Sequence, residues 1–401
     1  MSAHAAKLTR EERRVLDLID TDDLVQVAQR LVRAPGQNPP GEEAATAAVL
    51  EEVCRERRLA VEVSEVAPGR PNLRAILPGG SDPGLLLLGH TDVVPVGEGW
   101  TVEPFGALVR GGRLHGRGST DMKGGLAACV AAMDALRRAT LHLAGPVEFA
   151  ALVDEEEHGL GIRQYVAVPP AGAGFAGCVV AEPTDLQTIV AARGDAYVDF
   201  TVHGVAAHSG RPDDGRNAIY GAAAVIGSLQ QWHRELSSQV HPLVGPPTWS
   251  VGLVAGGQGS STVPAECRIS ADRRLLPGES ASDVLAAVRD RVGALGLEVA
   301  GLRVDVTMPM DMPGFETAPD HPLVLATDSA LSDAGGPGRP LAGWTAACDG
   351  GFLARDLGVP TVVLGPGSVN DQAHRPDESV GLDELVVAAR TYALLALRLL
   401  S

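Results

Sequence analysis

Several histidines and acids in this chain stand just after apolar runs, where an open α/β sheet delivers side chains to the carboxyl ends of its strands. Leu85–Leu88 leads into Gly89-His90-Thr91-Asp92. There a histidine could bind a metal while an acid two residues on orients its ring. GRGSTDMKGG places Asp121 in a glycine-surrounded loop before a helix, a setting that by itself reads as an N-cap carboxylate. Val147–Val153 ends in Asp154-Glu155-Glu156-Glu157-His158, and consecutive acids repel one another unless a cation compensates them. Alone, that run reads as a solvated acidic turn. GCVVA ends at Glu182-Pro183, and TVVLG is followed by His374 in GPGSVNDQAHRPDE. Five strand ends bringing two histidines and at least three carboxylates to one edge outweigh the separate readings. Oxygen donors mixed with imidazole suit Zn²⁺, Mn²⁺ or Co²⁺, and an excess of carboxylate over histidine suits a two-metal site.

Other chemistries lack their signatures. The chain has no HExxH, no GxSxG and no Gly-Lys dipeptide for a phosphate loop. GGQGSS at 256–261 lacks the spacing and strand-to-helix setting of a dinucleotide loop. A formal net charge of −17 excludes an electrostatic grip on nucleic acid. The 401 residues, 45% hydrophobic and 21% charged, suffice for two folded domains. The basic residues are 31 Arg and only 2 Lys, one of them Lys123 inside the densest motif. Cys54, Cys129, Cys178, Cys267 and Cys348 are odd in number, widely spaced and free of any CxxC pair, so neither a disulfide framework nor a cysteine zinc knot is expected. A charged N-terminal segment and the lack of any run approaching about 18 apolar residues point to a cytoplasmic protein without a membrane partner.

The elements that must position these residues follow from periodicity. Helical spacing over 23–31 and 42–53, separated by PGQNPPG, predicts that the chain opens with two helices. Strands over 73–77, 85–88, 147–153 and 179–181 then alternate with an Ala-rich helix over 125–138, which argues an α/β sheet, mixed but mostly parallel. After Glu182 the pattern changes to a strand over YVDFTVHG, a helix over 217–236, strands over SVGLVAGG and CRISADRRL, a helix over 281–295 and a strand over RVDVTM. That order predicts an inserted α+β module. The catalytic α/β domain is thus expected over 1–190 and 306–401, with the insert over 191–305. A strand over 361–364 and an amphipathic helix over 382–400 close the chain.

In order, GHTDVVPVGEGW, GRGSTDMKGG, DEEEHGLG, AEPT, GVAAHSGRPDDGRNAI, DRRLLPGE and GPGSVNDQAHRPDE resemble the dizinc aminoacylase and carboxypeptidase family. This is the family of acetylornithine deacetylase, succinyl-diaminopimelate desuccinylase and glutamate carboxypeptidase, and the likeness covers most of the chain. The resemblance implies that His90, Asp121 and Glu182 hold one zinc and that Asp121, Glu156 and His374 hold the second, with Co²⁺ able to substitute. It makes Glu155 the general base and Asp92 the carboxylate that fixes His90. It also implies a lid domain that forms a homodimer, His208 reaching a neighbouring subunit's site to steady the oxyanion, and substrate contacts from Arg274, Ser261, Asn217 and Gly367. Which of Arg273 and Arg274 faces inward depends on strand register; Arg274 is taken as the carboxylate clamp and its neighbour as a solvated residue. The run Glu155-Glu156-Glu157 allows a one-residue shift of roles, and Gly159-Leu160-Gly161 favours the frame used here.

Three positions depart from the family pattern: Ser261 where an Asn is usual, His158 where a Gly is common, and TAACDGG in a substrate-lining loop. They bear on the substrate, not on the metals. The expected activity is hydrolysis of the amide of a small N-acyl amino acid. A dipeptidase or carboxypeptidase is the rival among enzymes, and a catalytically silent binding homologue is the rival outside them. His4, His115, His142, His203, His233, His241 and His321 have no motif around them and read as surface or packing residues.

Overall fold

A computed structural model describes residues 8–169 and 174–401; His4 and most of the N-terminal segment lie outside them. The chain divides into two units, one of Met1–Val190, Glu316–Ala342 and Phe352–Ser401 and the other of Ala191–Phe315 and Gly343–Gly351.

The first unit is built on a mixed nine-stranded sheet. Its centre is the strands Val147–Leu152, Gly84–His90, Phe175–Val180 and Thr361–Val363, adjacent in that order and parallel at each pairing. VEFAAL and GLLLLGH are buried along their whole lengths, as strands covered on both faces must be, and the one acid among them, Glu148, is paired with Arg74 at 2.7 Å. The hairpin of Ala60–Ala67 and Arg70–Leu77 flanks this centre with antiparallel pairing, because a connection of two residues can only turn the chain back on itself. The Gly124–Ala139 and Leu382–Leu399 helices cover the sheet, and their Ala-rich and Leu-rich faces are almost wholly buried.

Two sequence expectations need correction here. The chain opens with three helices, not two: Arg10–Leu16 precedes Thr21–Arg33 and Ala44–Glu56. The first is short, but Thr9 and Glu12 cap it reciprocally, a Thr-x-x-Glu signal that periodicity over so few residues does not reveal. The strand expected over RVDVTM also runs on to Met312, paired along Gly194–His203 as far as Met312↔Asp195. The second unit therefore ends at Phe315, not 305, and it takes in Gly343–Gly351 as well.

That second unit is an antiparallel sheet in the order Thr248–Gly256, Glu266–Leu275, Gly194–His203, Arg303–Met312. Alternate residues Ala196, Val198, Phe200 and Val202 point to one face with Ile269 and Ala271. The helices Ala218–Leu236 and Ala281–Gly293 contribute Val225, Leu229, Val284 and Val288 to the same core. No helix among the described residues is long and apolar enough to cross a membrane.

Candidate metal centre

Parallel pairing of the central strands puts their carboxyl ends on one edge, with His90 opposite Leu152 in register. Asp121 reaches the same edge from the turn before the Gly124–Ala139 helix. That helix starts against the Glu182 strand end with no room between them: a Cβ on Gly125 would lie 2.2 Å from the Ala181 carbonyl oxygen, so only glycine permits the approach.

The five expected ligands converge. His90 Nε2 lies 3.1 Å from Asp121 Oδ1 and 3.4 Å from Glu182 Oε1. His374 Nε2 lies 3.3 Å from Asp121 Oδ2 and 3.1 Å from Glu156 Oε2. Each oxygen of Asp121 thus faces a different histidine. Glu155 offers a carboxylate oxygen to the same pocket, where the potential ligand atoms of His90, Glu155 and Glu182 all lie within 4.8 Å of one another.

The electrostatics of the pocket are those of crowded, buried carboxylates. Burial pushes the Glu182 carboxyl up to about 7, with the charges of Asp121 and Glu156 adding to it and His90 opposing. Burial and Asp121 likewise raise Glu156, whose Oε1 is buried without a hydrogen-bond partner. Burial would raise Asp121 too, but hydrogen bonds from His374 and His90 hold it well below the usual carboxylate range. His374 is pushed up to about 10 by Asp121 and Glu156. Burial disfavours a charged His90, yet Glu182, Asp121 and Asp92 outweigh it and raise its pKa well above the ordinary value. Asp121, Glu156 and Glu182 are carboxylates gathered at buried positions, while His374 is half exposed at the rim. Such carboxylates call for positive charge, and mixed imidazole and carboxylate donors around a shared acid fit a pair of divalent ions.

Asp92 is fully buried, but its carboxylate is not the nearest group to His90. The ring Nδ1 lies 3.0 Å from the Asp92 backbone carbonyl and 3.5 Å from Oδ1. The carboxylate instead accepts the backbone N–H groups of Glu155 at 3.2 Å and Glu156 at 3.1 Å, so it holds the acidic turn as well as the histidine.

Sequence reasoning assigned no role to two buried residues that sit inside its own motifs. Arg117 of GRGSTDMKGG pairs with Glu378 of AHRPDE at 2.6 Å, with side chains 2% and 0% exposed. Glu378 also accepts the N–H groups of Gly118, Thr120 and Asp121 at 2.9–3.0 Å. It ties the Asp121 turn to the loop carrying His374 four residues upstream. Arg117 further donates to the Val96 carbonyl and lies over the Trp100 ring. The pairing of residues 261 positions apart is a tertiary fact; only the residue types were visible beforehand.

The expected substrate contacts are distributed differently. Gly367 is buried in the first unit, in the loop after the Thr361–Val363 strand, and its carbonyl accepts the Asp185 N–H at 2.7 Å. His208, Asn217, Ser261 and Arg274 belong to the second unit. His208 is exposed beside Thr262 in a short antiparallel pair, and the Ser209 N–H donates to the Ser261 carbonyl. Asn217 caps the Ala218–Leu236 helix, with Oδ1 accepting from Ile219 and Tyr220. Arg274 is held by Asp272 at 2.9 Å and Asp195 at 3.1 Å. Arg273, expected to be solvated, is 1% exposed: the register turns it onto the core face, where it pairs with Glu279 at 2.7 Å and lies over Trp249. His158, at the departure after the acidic turn, has an exposed side chain.

Comparison with known proteins agrees with this architecture. The model of peptidase family M20/M25/M40 matches residues 86–398. The acetylornithine deacetylase of Edwardsiella ictaluri is 34% identical over 314 residues, covering 77% of this chain and 78% of that protein. Among solved structures, the aminopeptidase PepT of Bacillus cereus superposes with a TM-score of 0.77 at 22% identity, covering 96% of this chain and all of that one. The Bacillus subtilis protein YXEP, described as a dinuclear metal-binding peptidase of family M20, gives 0.71 at 16% identity, with 95% and 98% covered. At such identities the two structures establish the fold, whereas the family match and the sequence relative establish descent. The chain belongs to peptidase family M20/M25/M40 and is a hydrolase acting on amide bonds.

Proposed function

We propose that this enzyme removes the acyl group from a small N-acyl amino acid by metal-dependent amide hydrolysis. The observation that carries the metal-dependent part is the shared acid, Asp121, with one oxygen toward His90 and the other toward His374. On this reading His90, Asp121 and Glu182 would hold one divalent ion, and Asp121, Glu156 and His374 would hold the other. Two such ions, zinc or cobalt, would lower the pKa of a water and polarise the amide carbonyl. Glu155 takes the proton that the water gives up and passes it to the amide nitrogen, which must be protonated to leave. Asp92 keeps Glu155 in place through its backbone N–H. His208 of a neighbouring copy donates to the developing oxyanion, and the Arg274 guanidinium is the proposed partner of the substrate carboxylate. The 34% identity to an acetylornithine deacetylase supports an N-acyl amino acid over a dipeptide. Five free, buried cysteines suit a reducing compartment such as the cytoplasm.

The test is amine release from a panel of N-acetyl, N-succinyl and N-formyl amino acids and simple dipeptides, using zinc- or cobalt-loaded protein and a chelated control. Chelator-sensitive release from one N-acyl class is the expected result. Preference for dipeptides would transfer the enzyme to the peptidases, and no release with two ions bound would overturn the reading.

The homodimer is proposed to form through the second unit. Its Thr248–Gly256 strand is a sheet edge exposing Leu253 and Val254, 71% and 59% accessible, and an exposed apolar edge is a template for pairing with another chain. Sedimentation should show a dimer for the native chain and a monomer for the Leu253→Lys, Val254→Lys double variant. A fully active native monomer would remove the proposal.

A further inference from the structure

The acidic turn that carries Glu155 and Glu156 is preceded by Asp154, in the left-handed region at φ 68°. Asp154 and Asp92 are both buried, 2% and 0% exposed, and both meet the same atom. Asn38 Nδ2 lies 2.9 Å from Asp154 Oδ1 and 3.0 Å from Asp92 Oδ2. Two carboxylates so placed repel each other. A neutral amide with two donor hydrogens can satisfy both at once. The orientation of the amide follows from chemistry, since its oxygen turned the other way would face two acceptors.

Asn38 is itself firmly held. It is 3% exposed, its backbone N–H donates to the Val93 carbonyl at 2.9 Å, and Lys123 Nζ anchors the preceding Ala34 and Pro35 carbonyls. Arg70 approaches from the other side, pairing with Asp154 at 2.7 Å and with Glu43. It packs so closely on the loop that a Cβ on Gly41 would lie 2.7 Å from Arg70 Nε.

We infer that Asn38 is a positioning residue for the hydrolytic site: by clamping Asp92 to Asp154 it sets the backbone that presents Glu155 and Glu156. This rests on the roles proposed above for those two acids. The chain of contact is short, from the Asn38 amide to Asp92 Oδ2, and from that carboxylate to the N–H groups of both glutamates. Nothing in PGQNPPG as a sequence distinguishes this side chain from an ordinary turn residue.

The test compares Asn38→Ala and Asn38→Ser with Thr46→Val. Thr46 Oγ1 hydrogen-bonds the Ala34 and Pro35 carbonyls of the same loop without touching either carboxylate, so its loss loosens the loop alone. Three quantities are read: Co²⁺ affinity of each site by titration, kcat and KM on the N-acyl substrate, and melting temperature. Asn38→Ala should weaken the ion held through Glu156 and lower kcat, each by about 10–100-fold, the range for groups that orient metal ligands. KM should stay within about threefold. Asn38→Ser, with one hydrogen for two carboxylates, should fall between, and Thr46→Val should keep native kcat and metal affinity. Native metal affinity and kcat in both Asn38 variants would overturn the inference and leave the proposed function standing. So would losses that track melting temperature equally in all three variants. Native protein that binds no pair of ions would overturn both.

Discussion

Glu155→Gln is expected to lower kcat by about 10²–10⁴-fold, the usual worth of a positioned general base, while the protein still takes up two divalent ions. Glutamine has nearly the shape of glutamate, so the Glu155 backbone N–H stays on Asp92 Oδ1 and the turn is undisturbed. What is lost is the ability to accept a proton. The geometry makes this a sharp test, because the Glu155 carboxylate shares a pocket with His90 and Glu182 and stands one residue from Glu156. If Glu155 were a ligand, the substitution would release an ion, and Glu156→Gln would be the variant that keeps both ions and loses turnover. Metal analysis beside single-turnover kinetics separates the two. Substantial activity in Glu155→Gln would end its assignment as base.

Removing the metals is expected to abolish turnover and to destabilise the fold together. Asp121, Glu156 and Glu182 are drawn into one pocket where burial already raises two of the three carboxyls. Without cations, only protonation of His90, His374 and the acids themselves can relieve that crowding. Ligands that bind only the folded chain stabilise it by about 2.7 kcal/mol per site at a hundred times the dissociation constant. For two sites in a unit of this size the melting temperature should fall by about 10 °C on chelation. Zinc or cobalt should restore it along with activity. An unchanged melting temperature and undiminished turnover, in protein shown by analysis to hold no metal, would contradict the two-ion reading. Asp121→Ala should resemble the stripped protein, since one side chain faces both histidines.

Much of the candidate site was legible before any fold was known, for a physical reason. A strand buried on both faces reads as an unbroken apolar run, and residues placed just after several such runs must meet at one sheet edge if the strands are parallel. His90, Glu182 and the acidic run after 147–153 were visible in this way at strand ends, whereas Asp121 alone read as a helix cap and the choice of Glu156 and of the ligand set came from the family resemblance. The structure joins His90, Glu182, Glu156 and His374 through contacts about Asp121. The groups that hold them were not visible. Asn38, Arg117 and Glu378 act through hydrogen bonds to residues 54 to 261 positions away, and an amide or an ion pair leaves no periodicity.

Arg273 shows the same limit from another side. In an alternating strand, neighbouring residues face opposite ways, and a shift of one position exchanges them. Only the pairing of Arg273 with Trp249 and Ala196 places that arginine on the core face and leaves Arg274 to Asp195 and Asp272. Sequence alone determined the chemistry on offer, the sheet that would gather it, and the family through its ordered motifs, because all three are written in local residue type and spacing. Tertiary structure alone decided which buried polar groups fix those ligands, which arginine is free of the core, and how far each unit extends, because these depend on partners that meet only when distant segments pack.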